Sequence, residues 1–374
     1  MNVALPEHDA SRIDVASGSG SYPVFVGQGL LQSVPRLAQA YTSAERFVVI
    51  ADDIVGPLHG ERLAEGCREA GLDVAYLTFP AGESSKTRRF WSILTDEMLD
   101  AGLGRDCCVI AVGGGVTTDL AGFVAATYLR GVPVIQVPSS YLAMIDASVG
   151  GKTGVDVRSG KNLVGAFHPP RAVIADTELL TTLPRRERAQ GLVEAFKHGA
   201  ILDADHFEAL ASGLSALLDA EPSAAEQAIR CSVRIKAEVV SRDEFEGGYR
   251  QVLNFGHTIG HVIEAASDYT IGHGSAVALG MLAEAEIGER LNITAPGTRD
   301  TLESTLQALL PVDATSVEGA NAIEYLGLDK KARAGRTRYV LLKRMGEVAQ
   351  PDGWTYEAPD LIVREALDRV LRRP

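Results

Sequence analysis

The sequence predicts an α/β protein in two parts: an N-terminal domain built on a mainly parallel sheet, residues 1–183, and a mostly α-helical domain, residues 184–374. Three observations lead there. Short β-branched and aliphatic runs alternate with helix-length segments through the first half, the pattern of strands joined by crossover helices. One of those runs passes through Gly113-Gly114-Gly115 into an alanine-rich helix. From about Pro184 to about residue 310, helical periodicity takes over and strand signals become few. A chain of 374 residues also exceeds the size at which a single core stops growing.

The elements follow in order. Arg12–Val15 and Tyr22–Val26 form a short hairpin between glycine and serine. Arg46–Asp53 is a buried strand ending in carboxylates, followed by a helix over Gly60–Ala70, a strand at Val74–Phe79 and a helix over Lys86–Ala101. The next strand, Cys107–Val112, runs into the triple glycine, where backbone amides and a helix N-terminus suit a phosphate. This is not the standard dinucleotide fingerprint, because its third glycine falls on Thr118, and a turn needed only for packing is the alternative. The helix ends near Arg130-Gly131, and Val132–Pro138 is a further strand with Ser139-Ser140 at its end. In such Rossmann-like sheets ligands sit at the C-terminal ends of the strands. Gly150-Gly151-Lys152-Thr153-Gly154 resembles a P-loop, but the required first glycine is Asp146, so the segment reads as a flexible backbone delivering Lys152, then Lys161-Asn162. Pro359–Pro374 reads as an amphipathic surface helix.

Composition excludes several roles. A net charge of −13 opposes general binding to nucleic acid or anionic membranes, so an anion site must be a local cluster of Lys and Arg. No apolar run approaches the roughly 20 residues that span a bilayer, and residues 1–20 lack the basic and apolar regions of a signal peptide. Cys67, Cys107, Cys108 and Cys231 form no C-x-x-C pair and read as reduced thiols of a cytoplasmic protein.

Chemistry concentrates around 250–273. His257 and His261 are i and i+4 on a helix and project from one face, while His273 follows a break at Ser267-Asp268-Tyr269 and returns from a second element. Imidazoles with an acidic third ligand suit a zinc ion with an open position; hydrogen-bonded structural histidines are the alternative. Arg250, Asn254 and Glu264 flank them. Upstream, Glu194 and Lys197 share a helix face at i, i+3, either as a structural ion pair or with Glu194 as the missing ligand.

Taken together, Gly113–Phe123, Asp146–Gly154 with Lys161-Asn162, Gly191–Lys197, Leu253–Thr258 with His261, His273–Gly280 and Asp329–Lys331 resemble the 3-dehydroquinate synthase family of the sugar-phosphate cyclases, in family order from about residue 12 to about 350. The resemblance implies an active site in the cleft between the two domains. It implies zinc, or cobalt, on Glu194, His257 and His273, which leaves His261 as a base. NAD maps onto Asp52, Glu83, Lys86, Gly114, Gly115, Asp119, Ser139, Ser140, Lys161 and Thr182. Substrate maps onto Asp146, Lys152, Asn162, Lys197, Lys236, Glu246, Arg250, Asn254 and His261, with one of Lys330 and Lys331, taken as Lys331, at the phosphate. Arg130 is implied to reach across a homodimer interface. His261, Glu246 and Lys152 are the implied catalytic groups.

The implied reaction is that of a lyase of the shikimate pathway, which leads to the aromatic amino acids: 3-deoxy-D-arabino-heptulosonate 7-phosphate gives 3-dehydroquinate and phosphate through transient oxidation, elimination, re-reduction and aldol closure. The substrate is a small phosphorylated sugar acid. Two departures stand out. Ser139-Ser140 replace two threonines and keep the hydroxyls, and Asp156 replaces an asparagine, adding a carboxylate near an anionic substrate. An amino-dehydroquinate synthase, a sedoheptulose 7-phosphate cyclase, a glycerol-dehydrogenase-like oxidoreductase and a non-enzymatic NAD-binding protein are the rival readings.

Overall fold

The computed structural model describes residues 11–18, 20–158, 160–310, 337–350 and 353–372, with Ala322 and Tyr325. The described chain falls into two compact units. The first comprises residues up to Pro184 together with Asp219–Ser241; the second comprises Arg185–Leu218 and the chain from Arg242. The chain divides at 184/185 and again around a helix that rejoins the first unit.

The first unit is organised by a seven-stranded sheet. Its strands are β1 (Ser11–Ser17), β2 (Gly20–Gly27), β3 (Arg46–Asp52), β4 (Asp73–Phe79), β5 (Cys107–Gly113), β6 (Val134–Pro138) and, after a separate hairpin of β7 (Lys152–Val157) and β8 (Gly160–Phe167), β9 (Ala172–Asp176). The sheet order is β1-β2-β9-β6-β5-β3-β4, parallel throughout except for the β1–β2 edge. Every residue of β5 and β9 is buried, as expected of strands covered on both faces. The helices are α1 (Val34–Tyr41), α2 (Glu61–Glu69), α3 (Arg88–Asp100), α4 (Gly115–Thr127) and the returning segment, of which Pro222–Arg242 is one helix. Val48, Ile50, Leu94, Met98, Val109, Leu120 and Val124 form a single core cluster between the sheet and α3 and α4. Each such side chain contributes about 1.5–3 kcal/mol by leaving water.

Two expectations need correction here. The segment after Gly151 is no flexible loop: it forms the β7–β8 hairpin, whose Val155 joins that core cluster and whose Thr153 hydroxyl donates to Ala166 O at 2.9 Å. The helix expected to end near Arg130-Gly131 stops at Thr127, and a 3₁₀ turn with left-handed Leu129 (φ 47°) and Arg130 (φ 74°) continues it.

The second unit is helical: α5 (Arg185–Leu202), α6 (Ala204–Ser212), α7 (Leu214–Leu218) and, after α8 (Pro222–Arg242) of the first unit, α9 (His257–Ala266), α10 (His273–Arg290), α11 (Thr298–Leu309) and α12 (Asp360–Leu371). A small β10–β11 hairpin (Leu342–Arg344, Glu347–Val348) precedes the last helix. α12 is amphipathic as expected, with Val363, Ala366, Leu367 and Val370 buried. Helices α9 and α10 touch backbone to backbone. A Cβ on Gly280 would stand 1.9 Å from the Gly256 carbonyl oxygen, and Gly256 itself has φ +79°, so both positions require glycine.

Candidate active site

In the first unit the strand order reverses between the parallel neighbours β3 and β5: from β3 the chain adds β4 on one side, then β5 and β6 on the other. Ligands of open α/β sheets bind outside the carboxyl ends of strands at such a point. Asp52 lies at the end of β3, and Gly114 and Gly115 open α4 directly after β5. Asp52 Oδ1 accepts the amides of Ile54 (3.0 Å) and Val55 (2.8 Å), and its Oδ2 accepts the Thr117 hydroxyl at 3.2 Å, which ties the two strand ends together.

Lys86 forms a buried ion pair with Asp119 on α4. Burial alone would lower the ammonium pKa, but Asp119 and Glu83 more than reverse this, so Lys86 keeps its charge. Lys161 approaches Glu83 at 3.8 Å. Ser139 follows β6, and its amide donates to Gly113 O at 2.9 Å; the neighbouring Ser140 hydroxyl accepts from Ala143 N at 3.3 Å. Thr182 stands apart from these contacts, with its hydroxyl 2.7 Å from His59 Nε2. Sequence reasoning assigned His59 nothing; its buried ring, held below its ordinary pKa by burial and Arg62, is a signal visible only in the fold.

The first unit also holds several residues expected at substrate. Lys236 donates to the Asp146 carboxylate at 2.5 Å. Lys152 begins β7 in an exposed position. Asn162 (φ 55°) is held in β8 by its amide donating to Asp156 Oδ1 at 2.8 Å. Arg130 is exposed at the strained turn after α4. Lys331 lies outside the described residues.

The second unit brings the three expected metal ligands together. One ligand atom each from Glu194, His257 and His273 lies within 4.8 Å of the others. Nε2 of His257 is 3.5 Å, and Nε2 of His273 3.6 Å, from the same oxygen, Glu194 Oε1. Both distances exceed an ordinary N–H···O bond. They match instead the edge of a tetrahedron, about 3.4 Å for donors about 2.1 Å from a zinc ion. The donor set therefore fits a zinc or cobalt ion. Its outer partners fit too: His257 Nδ1 faces Phe255 O at 3.3 Å and His273 Nδ1 faces Glu264 Oε1 at 3.5 Å, the contacts that orient a ligating imidazole. Burial, then Lys197, depresses His257 to about 3, so it is neutral. Burial also pulls on His273, but Glu194 and Glu264 outweigh it and lift that ring to about 9. Without a cation, the site holds a proton there.

Lys197 forms a buried ion pair with Glu194 on α5. His261 is exposed on α9, its ring 5.5 Å from that of His257 and 6.4 Å from that of His273. The structure thus brings all three histidines together, and His257 and His273 each place Nε2 near Glu194 Oε1. Two further expected residues meet as well: Asn254 Nδ2 donates to Glu246 Oε1 at 2.7 Å. They sit on a turn closed around Asp243, whose carboxylate accepts the amides of Gly247 (2.9 Å), Gly248 (2.7 Å) and Arg250 (3.0 Å). Although burial opposes it, these amides hold the Asp243 carboxyl below its ordinary pKa. Arg250 is almost fully buried and donates to Glu244 O at 2.5 Å. Sequence reasoning gave no role to Asp243 or to Gln190, which receives the Ser275 amide at 2.9 Å and donates to the Ser275 hydroxyl at 2.8 Å.

Two solved structures of this fold contain NAD+ and a divalent metal. The chain superposes with a TM-score of 0.88 on a 2-deoxy-scyllo-inosose synthase solved with carbaglucose-6-phosphate, NAD+ and Co2+, at 28% identity over 96% of this chain and 99% of the other. A 2-epi-5-epi-valiolone synthase from Streptomyces hygroscopicus subsp. jinggangensis 5008, with NAD+ and Zn2+ bound, gives 0.84 at 28% identity over the whole of both chains. Fold and relatives define an NAD- and metal-dependent enzyme of the sugar-phosphate cyclase kind. Among sequences, a 3-dehydroquinate synthase of Symbiobacterium thermophilum is 42% identical over 91% of this chain and 98% of its own. Residues 76–190 match the 3-dehydroquinate synthase N-terminal family and residues 191–332 the C-terminal one, and the chain belongs to the 3-dehydroquinate synthase family.

Proposed function

We propose that this chain is a cytoplasmic homodimer that converts 3-deoxy-D-arabino-heptulosonate 7-phosphate into 3-dehydroquinate and phosphate. The observation that carries the reading is the convergence of Glu194, His257 and His273, in a chain whose family matches run from 76 to 332. Those three residues hold the metal, and Asp52, Glu83, Lys86, Gly114, Gly115, Asp119, Ser139, Ser140, Lys161 and Thr182 hold the nucleotide. When bound, the metal polarises substrate hydroxyls and NAD+ accepts and later returns a hydride.

The chain's own groups do the rest. Arg250, Lys152, Asn162 and Lys331 bind the phosphate and stabilise the charge it carries away as it leaves. Arg130 joins them from the partner subunit, a role supported by its exposed place on a strained turn. Asp146, Lys197, Lys236 and Asn254 orient the sugar acid. His261 and Glu246 move protons, His261 because imidazole titrates near neutral pH and Glu246 because Asn254 fixes its carboxylate.

The test is phosphate release by the purified chain with NAD+ and zinc. Release from the heptulosonate phosphate without net NADH supports the reading. Release from sedoheptulose 7-phosphate instead assigns a different cyclase, and accumulating NADH assigns a dehydrogenase.

A further inference from the structure

Glu284 is a carboxyl group with no place in the reaction just described. It lies on α10, eleven residues beyond His273, fully buried, and its Oε2 accepts the Gly256 amide at 2.9 Å. The amides of Thr258 and Ile259 also act on it, drawing its pKa down against the burial that lifts it to about 8. These are the first amides of α9, which have no partner within their own helix. Gly256 offers no side chain to cap them. Glu284 is therefore the cap, supplied from the neighbouring helix at the point where Gly256 and Gly280 let the two backbones touch.

The location gives this cap a second consequence. His257 is the first residue of α9, so a dication on its imidazole sits beside the positive end of that helix, with buried Lys197 nearby. Both oppose a metal ion. Burial keeps the Glu284 carboxyl protonated up to about pH 8 in the metal-free chain, and a dication arriving at His257 favours its ionisation, so that a buried carboxylate then offsets that positive end where no water can. We propose that Glu284 is a positioning residue for the metal centre: it fixes the start of α9, and with it the His257 imidazole, and supplies the negative charge that lets this helix end accept a divalent cation.

This rests on Glu194, His257 and His273 holding a metal, and the experiment separates the two ideas. Zinc affinity is measured by chelator competition on the full-length chain for wild type, Glu284→Gln and Glu284→Asp, with the cobalt absorption spectrum recorded for each. Glu284→Gln keeps a hydrogen-bond acceptor but cannot ionise when the metal binds. It is expected to weaken zinc roughly 10–100-fold, the usual loss on changing an outer partner of a metal ligand, with an unchanged cobalt spectrum because the three ligands remain. Glu284→Asp keeps a carboxyl that can ionise and is expected to bind more tightly than Glu284→Gln. Wild-type affinity in Glu284→Gln, or Glu284→Asp no better than Glu284→Gln, overturns the proposal. If Glu284→Gln does not fold, wild-type affinity in a folded Glu284→Leu overturns it equally. A wild-type chain that binds no zinc refutes the metal reading itself.

Discussion

Lys236 donates to the main-chain oxygen of Asp146 at 2.7 Å and to its carboxylate at 2.5 Å, across 90 residues of sequence. The ammonium is almost fully buried and the carboxylate one-quarter exposed. This contact is one reason why the segment 219–241 belongs to the first unit although the chain on both sides of it belongs to the second. Lys236→Met removes the charge and leaves the aspartate and its carbonyl without this donor. It is expected to cost about 1–3 kcal/mol in urea unfolding, the price of stranding a mostly buried polar group. An unfolding midpoint equal to wild type would show that α8 docks without it.

Gly280→Ala tests the α9–α10 contact. The added methyl meets the Gly256 carbonyl at 1.9 Å, a distance only backbone movement can relieve. Overpacking of this kind typically costs about 1–3 kcal/mol. His257 begins one of these helices and His273 the other, so the same substitution is expected to weaken metal retention after dialysis. Retained metal with lowered stability would mean that the helices shift as a pair.

The metal site predicts a pH dependence of defined sign. In the metal-free protein His273 is lifted from 6.5 to about 9, so a proton and a cation compete for it. Metal affinity is therefore expected to fall about tenfold for each pH unit below about 9, while His257, depressed to about 3, adds nothing between pH 6 and 9. The folding term runs the other way. A raised histidine pKa stabilises the metal-free chain fully below 6.5, and that contribution is lost as pH rises through about 9. Glu284, lifted from 4.5 to about 8, loses its contribution over the same rise. Thermal unfolding of chelator-treated protein between pH 6.5 and 9 is expected to show a falling midpoint; a rising one would contradict the assignment of His273.

Asp156→Asn separates shape from charge beside the nucleotide residues. Asp156 Oδ1 accepts the Asn162 amide at 2.8 Å, a bond an asparagine carbonyl can replace. Burial, with Glu83 adding to it, raises the Asp156 carboxyl pKa, so the wild-type charge is disfavoured where it stands. The variant is expected to keep wild-type stability within about 0.5 kcal/mol and to lower KM for the anionic substrate. An increased KM would make the carboxylate itself part of recognition.

What the sequence revealed depended on how local each feature was. The continuous apolar runs at 46–52 and 107–112 announced β3 and β5, because a strand covered on both faces has no polar alternation; the run at 74–79 announced β4, although as the edge strand it is only partly buried. β9 went unseen: it is five residues long and follows Pro169-Pro170-Arg171, and only its place between β2 and β6 makes it central. The β7–β8 hairpin was hidden by its glycines, which read as flexibility but allow close strand pairing, with Gly154 and Gly165 opposite each other. At the site, the histidine spacing was legible, since i and i+4 on a helix fix a common face. The caps were not. Asp243 and Glu284 work through backbone amides, and an amide leaves no mark in a sequence.

The most direct test of the account is phosphate release from 3-deoxy-D-arabino-heptulosonate 7-phosphate, followed together with NADH absorbance and zinc content, in wild type, in chelator-stripped protein and in His257→Ala. The account predicts phosphate release by wild type with no net NADH, loss of release on stripping, recovery with zinc or cobalt, and neither metal nor activity in His257→Ala. Undiminished phosphate release by the stripped protein or by His257→Ala would contradict it.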